Sequence, residues 1–167
     1  VLVLNTIGAP GGFAPPAAMD NVFVQAGMRA VGFQRAATIR SIICGMVSKP
    51  EEIDTPEQLE GYYRSFRDGS GLPYYAFLTS LDTIRDRIPA YARTVEELNG
   101  PASIIWGAND ENLLAGPSVP WFADALAVPP ARRTVLDDAK HLVAEEAPGR
   151  VVEAALALTR LAGPDES

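Results

Sequence analysis

Residues 102–110 read Ala102-Ser103-Ile104-Ile105-Trp106-Gly107-Ala108-Asn109-Asp110. The first five form a short, isoleucine-rich apolar run, and Gly107 ends it. An apolar run this short, bounded by turn residues, fits a strand buried on both faces, as in a parallel sheet; a helix would need a longer pattern. Downstream, Val119 to Ala127 carries a helical pattern and Arg133 to Leu136 reads as a strand. Gly149 to Leu161 reads as a helix with Pro148 at its start and Gly163 past its end. Strand, helix, strand, helix over this short stretch predicts a parallel βαβ arrangement.

The chain opens on a second run of the same kind, Val1-Leu2-Val3-Leu4, followed by Asn5-Thr6 and Gly8. It reads as another strand buried on both faces. A domain seldom starts inside its most buried strand, so residues upstream of Val1 are expected. Gly8 to Pro16 is a Gly/Pro-rich connector, and from Ala17 to about Leu98 the pattern turns helical. Val22, Val24, Met28 and Val31 recur at helical spacings, Ile39, Ile42, Ile43 and Met46 continue them, and Pro50 closes that stretch. Thr55-Pro56-Glu57-Gln58 is a helix start, with Thr55 as N-cap, Pro56 at the first helical position and Gln58 closing a capping box. That helix is predicted to run to about Phe66 and stop at Asp68-Gly69-Ser70-Gly71, with two more over Tyr74 to Arg87 and Pro89 to Leu98. The expected organisation is a core strand in 1–8, a helical insertion with its return helix in 9–99, and the rest of an α/β core in 100–167. The fold class is α/β, three parallel strands with flanking helices and a helical lid inserted after the first.

Composition narrows the function. The formal net charge is −7 over 167 residues, with no Lys/Arg cluster, which argues against nucleic acid or an anionic membrane as partner. Apolar runs such as Ser41 to Val47 are too short to span a bilayer, and the opening lacks a basic signal-peptide region. Cys44 is the single cysteine, which excludes an internal disulfide and fits a cytoplasmic setting. One histidine without a carboxylate cluster makes no metal site, and no cofactor is implied.

Open parallel sheets bind ligands beyond the C-terminal ends of their strands. Three such ends are readable: Asn5-Thr6, Gly107 to Glu111, and Asp137-Asp138-Ala139-Lys140-His141. The chain's one histidine lies at one of them and Asp110 at its neighbour. A carboxylate on one ring nitrogen fixes the imidazole tautomer and leaves the other nitrogen as a base. Glu111 is a rival acid; Asp137 and Asp138 read as turn or solvated residues.

Ile104-Ile105-Trp106-Gly107-Ala108-Asn109-Asp110 resembles the α/β-hydrolase segment in which an apolar strand, Trp-Gly and two residues lead to the triad's acid. His141-Leu142-Val143-Ala144-Glu145-Glu146-Ala147-Pro148 resembles the segment carrying the histidine into the last helix, and Leu2-Val3-Leu4-Asn5-Thr6 the strand before the lid. Acid before histidine is also the family's order after the nucleophile. The resemblance spans the whole chain and favours Asp110 over Glu111 as the acid, with His141 as the base. One position departs: the family's usual Gly before the histidine is Lys140, which bears on the loop's backbone.

No Gly-x-Ser-x-Gly elbow occurs; Gly69-Ser70-Gly71 lacks a preceding strand, and nothing near Cys44 in sequence would activate its thiol. In the family the nucleophile and oxyanion hole precede the strand at which this chain opens. An N-terminal half of the same fold is therefore the expected partner, and the isolated chain is expected to be inactive.

Tyr62-Tyr63-Arg64-Ser65-Phe66-Arg67-Asp68 resembles a lid segment of haloalkane dehalogenases, with Ser65 in place of a proline. The related epoxide hydrolases use a lid tyrosine, for which Tyr62, Tyr63, Tyr74 and Tyr75 are candidates. The resemblance implies a small-molecule substrate contacted by Tyr62, Tyr63 and Phe66, with carbon–halogen or epoxide hydrolysis through an aspartyl ester. A serine esterase, a carbon–carbon bond hydrolase, or a non-catalytic binding protein using an open strand edge would read similarly.

Overall fold

A computed structural model describes residues 1–15, 21–31 and 35–163. Three parallel strands form one sheet in the order β1 (Leu2–Leu4), β2 (Ser103–Gly107), β3 (Arg133–Leu136). Leu2 pairs with Ser103 and Leu4 with Ile105; Ile104 pairs with Arg133 and Gly107 with Leu136. This register brings the C-terminal ends of all three strands to one edge. The parallel sheet expected from the two apolar runs is present.

The chain divides into two compact units, one made of Val1–Ala14 with the chain from Asp86 onward, the other of Pro15–Arg85. In the first, every residue of β2 is buried, and Ile104 and Trp106 are wholly so. Helix α7 (Ala115–Ala125) packs on β2, with Trp106 and Phe122 at 5.9 Å between ring centroids and Trp121 edge-on to Phe122 at 5.0 Å. The buried indole is satisfied, since Trp106 Nε1 donates to Leu113 O at 2.8 Å. Val3, Ala9, Ala102, Leu126 and Val128 complete this core. A 3₁₀ turn (Pro130–Arg132) leads into β3, and α8 (Val143–Glu146) precedes α9 (Pro148–Ala162), which packs on β1 and β2. Gly163 follows α9 with φ 76° and ψ 169°, an extended positive-φ conformation open essentially to glycine alone. Helix α7 begins four residues before the expected Val119 and carries Pro120 inside it.

The helical unit holds α1 (Val22–Val31), α2 (Ala36–Gly45), α3 (Pro50–Ile53), α4 (Pro56–Ser65), a π-helical turn (Phe66–Ser70) and α5 (Gly71–Leu78). The expected helical stretch also took in 17–20 and 32–34, which lie outside the described residues. Thr55 caps α4, its Oγ1 accepting from Gln58 N at 3.3 Å. The reciprocal half of the capping box differs: Gln58 Oε1 accepts from the Thr55 hydroxyl at 3.0 Å. Pro50 opens the short α3 rather than closing a helix, because its fixed φ and missing N–H suit a first turn.

Two helix boundaries differ from expectation. The Gly-rich stretch 69–71 does not stop α4; one π-helical turn carries the chain straight into α5. The stop comes at Thr79 and Ser80, whose hydroxyls donate back to Tyr75 O at 3.0 Å and Ala76 O at 2.6 Å. Helix α6 (Leu81–Glu96) then runs through Pro89. Leu81, Ile84, Ile88, Ala92 and Val95, spaced three and four apart, are its least exposed side chains. That continuous apolar stripe outweighs the one hydrogen bond that Pro89 removes. Among the described residues no helix is long and apolar enough to cross a membrane.

Candidate active site

The site grows from Gly107, the last residue of β2. A Cβ at this position would lie 1.8 Å from the carbonyl oxygen of Lys140 and 2.8 Å from that of Ala139. Glycine is required there by close approach, since the loop after β3 folds directly over the end of β2. The loop is fastened by Ala108 N to Leu136 O at 2.9 Å, Asn109 N to Ala139 O at 3.0 Å and Asn109 Nδ2 to Asp137 O at 2.8 Å. We expect Gly107→Ala to cost about 2–4 kcal/mol, because the atom in the way is backbone and cannot swing aside. A thermal melt of the variant that matches the wild type would contradict this packing.

Folding the loop over Gly107 brings His141 to Asp110, with Nδ1 of the ring 2.8 Å from Oδ2. The Asp110 side chain retains 1 % of its accessible surface and that of His141 28 %. The carboxylate is thus enclosed while the ring stays partly open, and among the described residues no hydrogen bond to Nε2 is formed. Oδ1 of Asp110 accepts from Asn112 N and Leu113 N, both at 2.9 Å. Oδ2 accepts from Asn5 Nδ2 at 2.7 Å besides facing the imidazole. The rival Glu111 is exposed, and so are Asp137 and Asp138.

Burial is the largest influence on the Asp110 carboxyl and by itself raises its pKa. The hydrogen bonds from His141, Asn5, Leu113 and Asn112 together outweigh it, so the group sits below its ordinary value of 3.8. A carboxyl depressed on folding binds its proton more weakly in the native than in the unfolded state, so stability rises with pH across this range. Its contribution is full above the unfolded value and is lost as pH falls through the lower folded one. We expect the wild type to lose stability on acidification below about pH 4 more steeply than Asp110→Asn, read as denaturant midpoint against pH. Parallel curves would contradict the assignment.

Lys140, the departure from the family pattern, is accommodated. Its N–H donates to Glu146 Oε2 at 2.8 Å and its carbonyl accepts from Asn5 Nδ2 at 3.0 Å. Among the described residues only Ala127 is a non-glycine with positive φ, so Lys140 needs none of glycine's conformational freedom. Asn5 was legible in sequence only as a strand end; its contact with Asp110 spans 105 positions.

Tyr62 and Tyr63 lie on α4 and Phe66 on the π-helical turn, all half-buried in the helical unit, as is Tyr75 on α5. Arg67 stacks over the Tyr63 ring at 5.8 Å. The side chain of Tyr74 lies outside those described. Gly69 and Ser70 fall in the π-helical turn and Gly71 opens α5, away from any strand-to-helix corner. Among the described residues no group of three or more His, Cys, Asp or Glu could hold a metal ion.

A parallel three-stranded sheet with a helical insertion after β1 and an acid–histidine pair beyond β2 and β3 has the fold of the C-terminal part of an α/β-hydrolase. The chain is similar to the 2-hydroxy-6-oxo-6-phenylhexa-2,4-dienoate hydrolase of Rhodococcus sp. strain RHA1, with TM-score 0.67 and 18 % identity over 96 % of this chain and 54 % of that one. It is also similar to an α/β-hydrolase fold protein from Burkholderia ambifaria, with TM-score 0.69 and 19 % identity over 93 % and 55 % of the two chains. Cfl2 of Burkholderia cenocepacia gives TM-score 0.60 and 14 % identity over 94 % and 56 %. The chain spans about half the length of these structures. No protein-family model matches the sequence, and no curated protein matches it.

Proposed function

We propose that this chain is the acid–histidine part of a hydrolase, with His141 as general base and Asp110 as the carboxylate that orients it. The observation that carries the reading is the 2.8 Å pair itself: a buried, fully hydrogen-bonded carboxylate behind a half-open imidazole. With Asp110 ionised, the shared proton rests on Nδ1 of His141, and the lone pair of Nε2 points away from the carboxylate. A water attacking an ester formed on the nucleophile gives its proton to Nε2. The imidazolium is held against Asp110 until that proton passes to the leaving group.

The nucleophile and the oxyanion-hole donors belong, in this proposal, to a preceding segment of the same fold. That segment would pair with the outer edge of β1 and cover apolar side chains exposed on α9, notably Val152 and Leu156. In this proposal the helical insertion acts as the lid for a small-molecule substrate, and Tyr62, Tyr63 and Phe66 are its substrate-contacting residues. Their pattern supports carbon–halogen or epoxide hydrolysis through an aspartyl ester. The likeness to a hydrolase of a phenylhexadienoate favours a second reading of the substrate, cleavage of a carbon–carbon bond or an ester with a serine nucleophile.

The coding sequence upstream of Val1 tests the proposal and chooses between these chemistries. An in-frame apolar strand followed by Gly-x-Asp-x-Gly or Gly-x-Ser-x-Gly is expected. A stop codon directly upstream would contradict it and leave a binding protein as the better reading.

A further inference from the structure

We infer that Asn5 is a positioning residue for the acid–histidine pair: its amide ties the ends of all three strands together and sets both the charge and the aim of Asp110. The inference rests on the hydrolase reading for its catalytic consequence, but the geometry stands apart from it. Asn5 is the first residue after β1, and its side chain is buried. Its Oδ1 accepts the Gly107 N–H at 2.9 Å, which fixes the end of β2. Its Nδ2 donates to Asp110 Oδ2 at 2.7 Å and to Lys140 O at 3.0 Å. Both amide hydrogens are thereby used on two different elements, the acid's turn and the histidine's loop.

The amide has one workable orientation. Turned over, it would set N–H against the Gly107 N–H and an oxygen against both a carboxylate and a carbonyl. In the observed orientation the donor meets the same Oδ2 that faces His141, so Asn5 acts on the oxygen that selects the ring's tautomer. A neutral amide stabilises the buried anion without offering a competing charge, which keeps Asp110 ionised and aligned. The bond to Lys140 O also holds the residue before the histidine in place, where the family relies on glycine. An apolar residue at position 5 would leave the Gly107 N–H and one side of Asp110 unmatched in a buried site.

The test uses Asn5→Leu in the full-length gene product, with Asn5→Ser as a smaller second variant should the first not fold. Nitrogen NMR of the His141 ring, assigned by difference against His141→Gln, reads the tautomer without reference to activity. We expect the Nδ1-protonated form to dominate in the wild type and to give way to a tautomer mixture in the variants. Kinetics should show kcat lower by about tenfold or more, with KM within about threefold. In an Asp110→Asn background the same change should cost less than about threefold, because the group through which Asn5 acts is already gone. Fully additive losses, or an unchanged tautomer in a folded variant, would overturn the inference. Wild-type turnover by His141→Ala would instead sink the general-base reading, and the tautomer would still decide the role of Asn5.

Discussion

Asp110→Asn is expected to lower kcat by about 10⁴-fold while the protein stays folded. The substitution is nearly isosteric, and the retained oxygen can still accept from Asn112 N and Leu113 N. The new amide nitrogen, however, replaces Oδ2. It would face the Asn5 amide nitrogen across 2.7 Å, donor against donor, and the His141 ring across 2.8 Å. Only one of these conflicts can be relieved cheaply. If His141 moves its proton from Nδ1 to Nε2, Nδ1 can accept from the new amide, but Nε2 then has no lone pair with which to act as base. The residual conflict with Asn5 leaves a buried donor unmatched, at a cost of about 1–3 kcal/mol. The melting temperature should therefore fall modestly while turnover collapses. A variant with kcat within tenfold of the wild type would remove Asp110 from the role of orienting acid and reopen the case for Glu111.

That Asp110 and His141 lie at neighbouring strand ends was legible because their signals are local. An apolar strand ending in Trp106-Gly107, with Asp110 three residues on, and a histidine entering a Pro-started helix can each be read within a dozen positions. The parallel sheet was legible for the same reason, since β1 lies in an unbroken apolar run and β2 in a short isoleucine-rich one. What stayed hidden depends on contacts between distant segments. Asn5 meets Asp110 across 105 positions and Lys140 across 135, and nothing in Leu4-Asn5-Thr6 indicates which groups its amide will find. The same holds for Lys140: in sequence it departs from a glycine, and in the fold Glu146 and Asn5 hold both of its backbone groups.

The helix boundaries failed in a different way. Pro89 and the glycines at 69 and 71 are local breakers, and their cost in a helix is about 1 kcal/mol for glycine and about 3 for proline. An apolar stripe from Leu81 to Val95 and a π-helical turn after α4 override costs of that size. Boundaries set by such a balance cannot be read from the breakers alone.

Hydrolysis by the full-length gene product and its His141→Ala variant, each paired with a thermal melt, carries the central claim. The ring is partly open, and Asp110 keeps three other hydrogen bonds, so removing the imidazole should change the melting temperature little. Turnover should fall by about 10⁴-fold or more, because the group that takes the proton from the attacking water is gone. Near-normal turnover with an unchanged melt would contradict the assignment of His141 as the base.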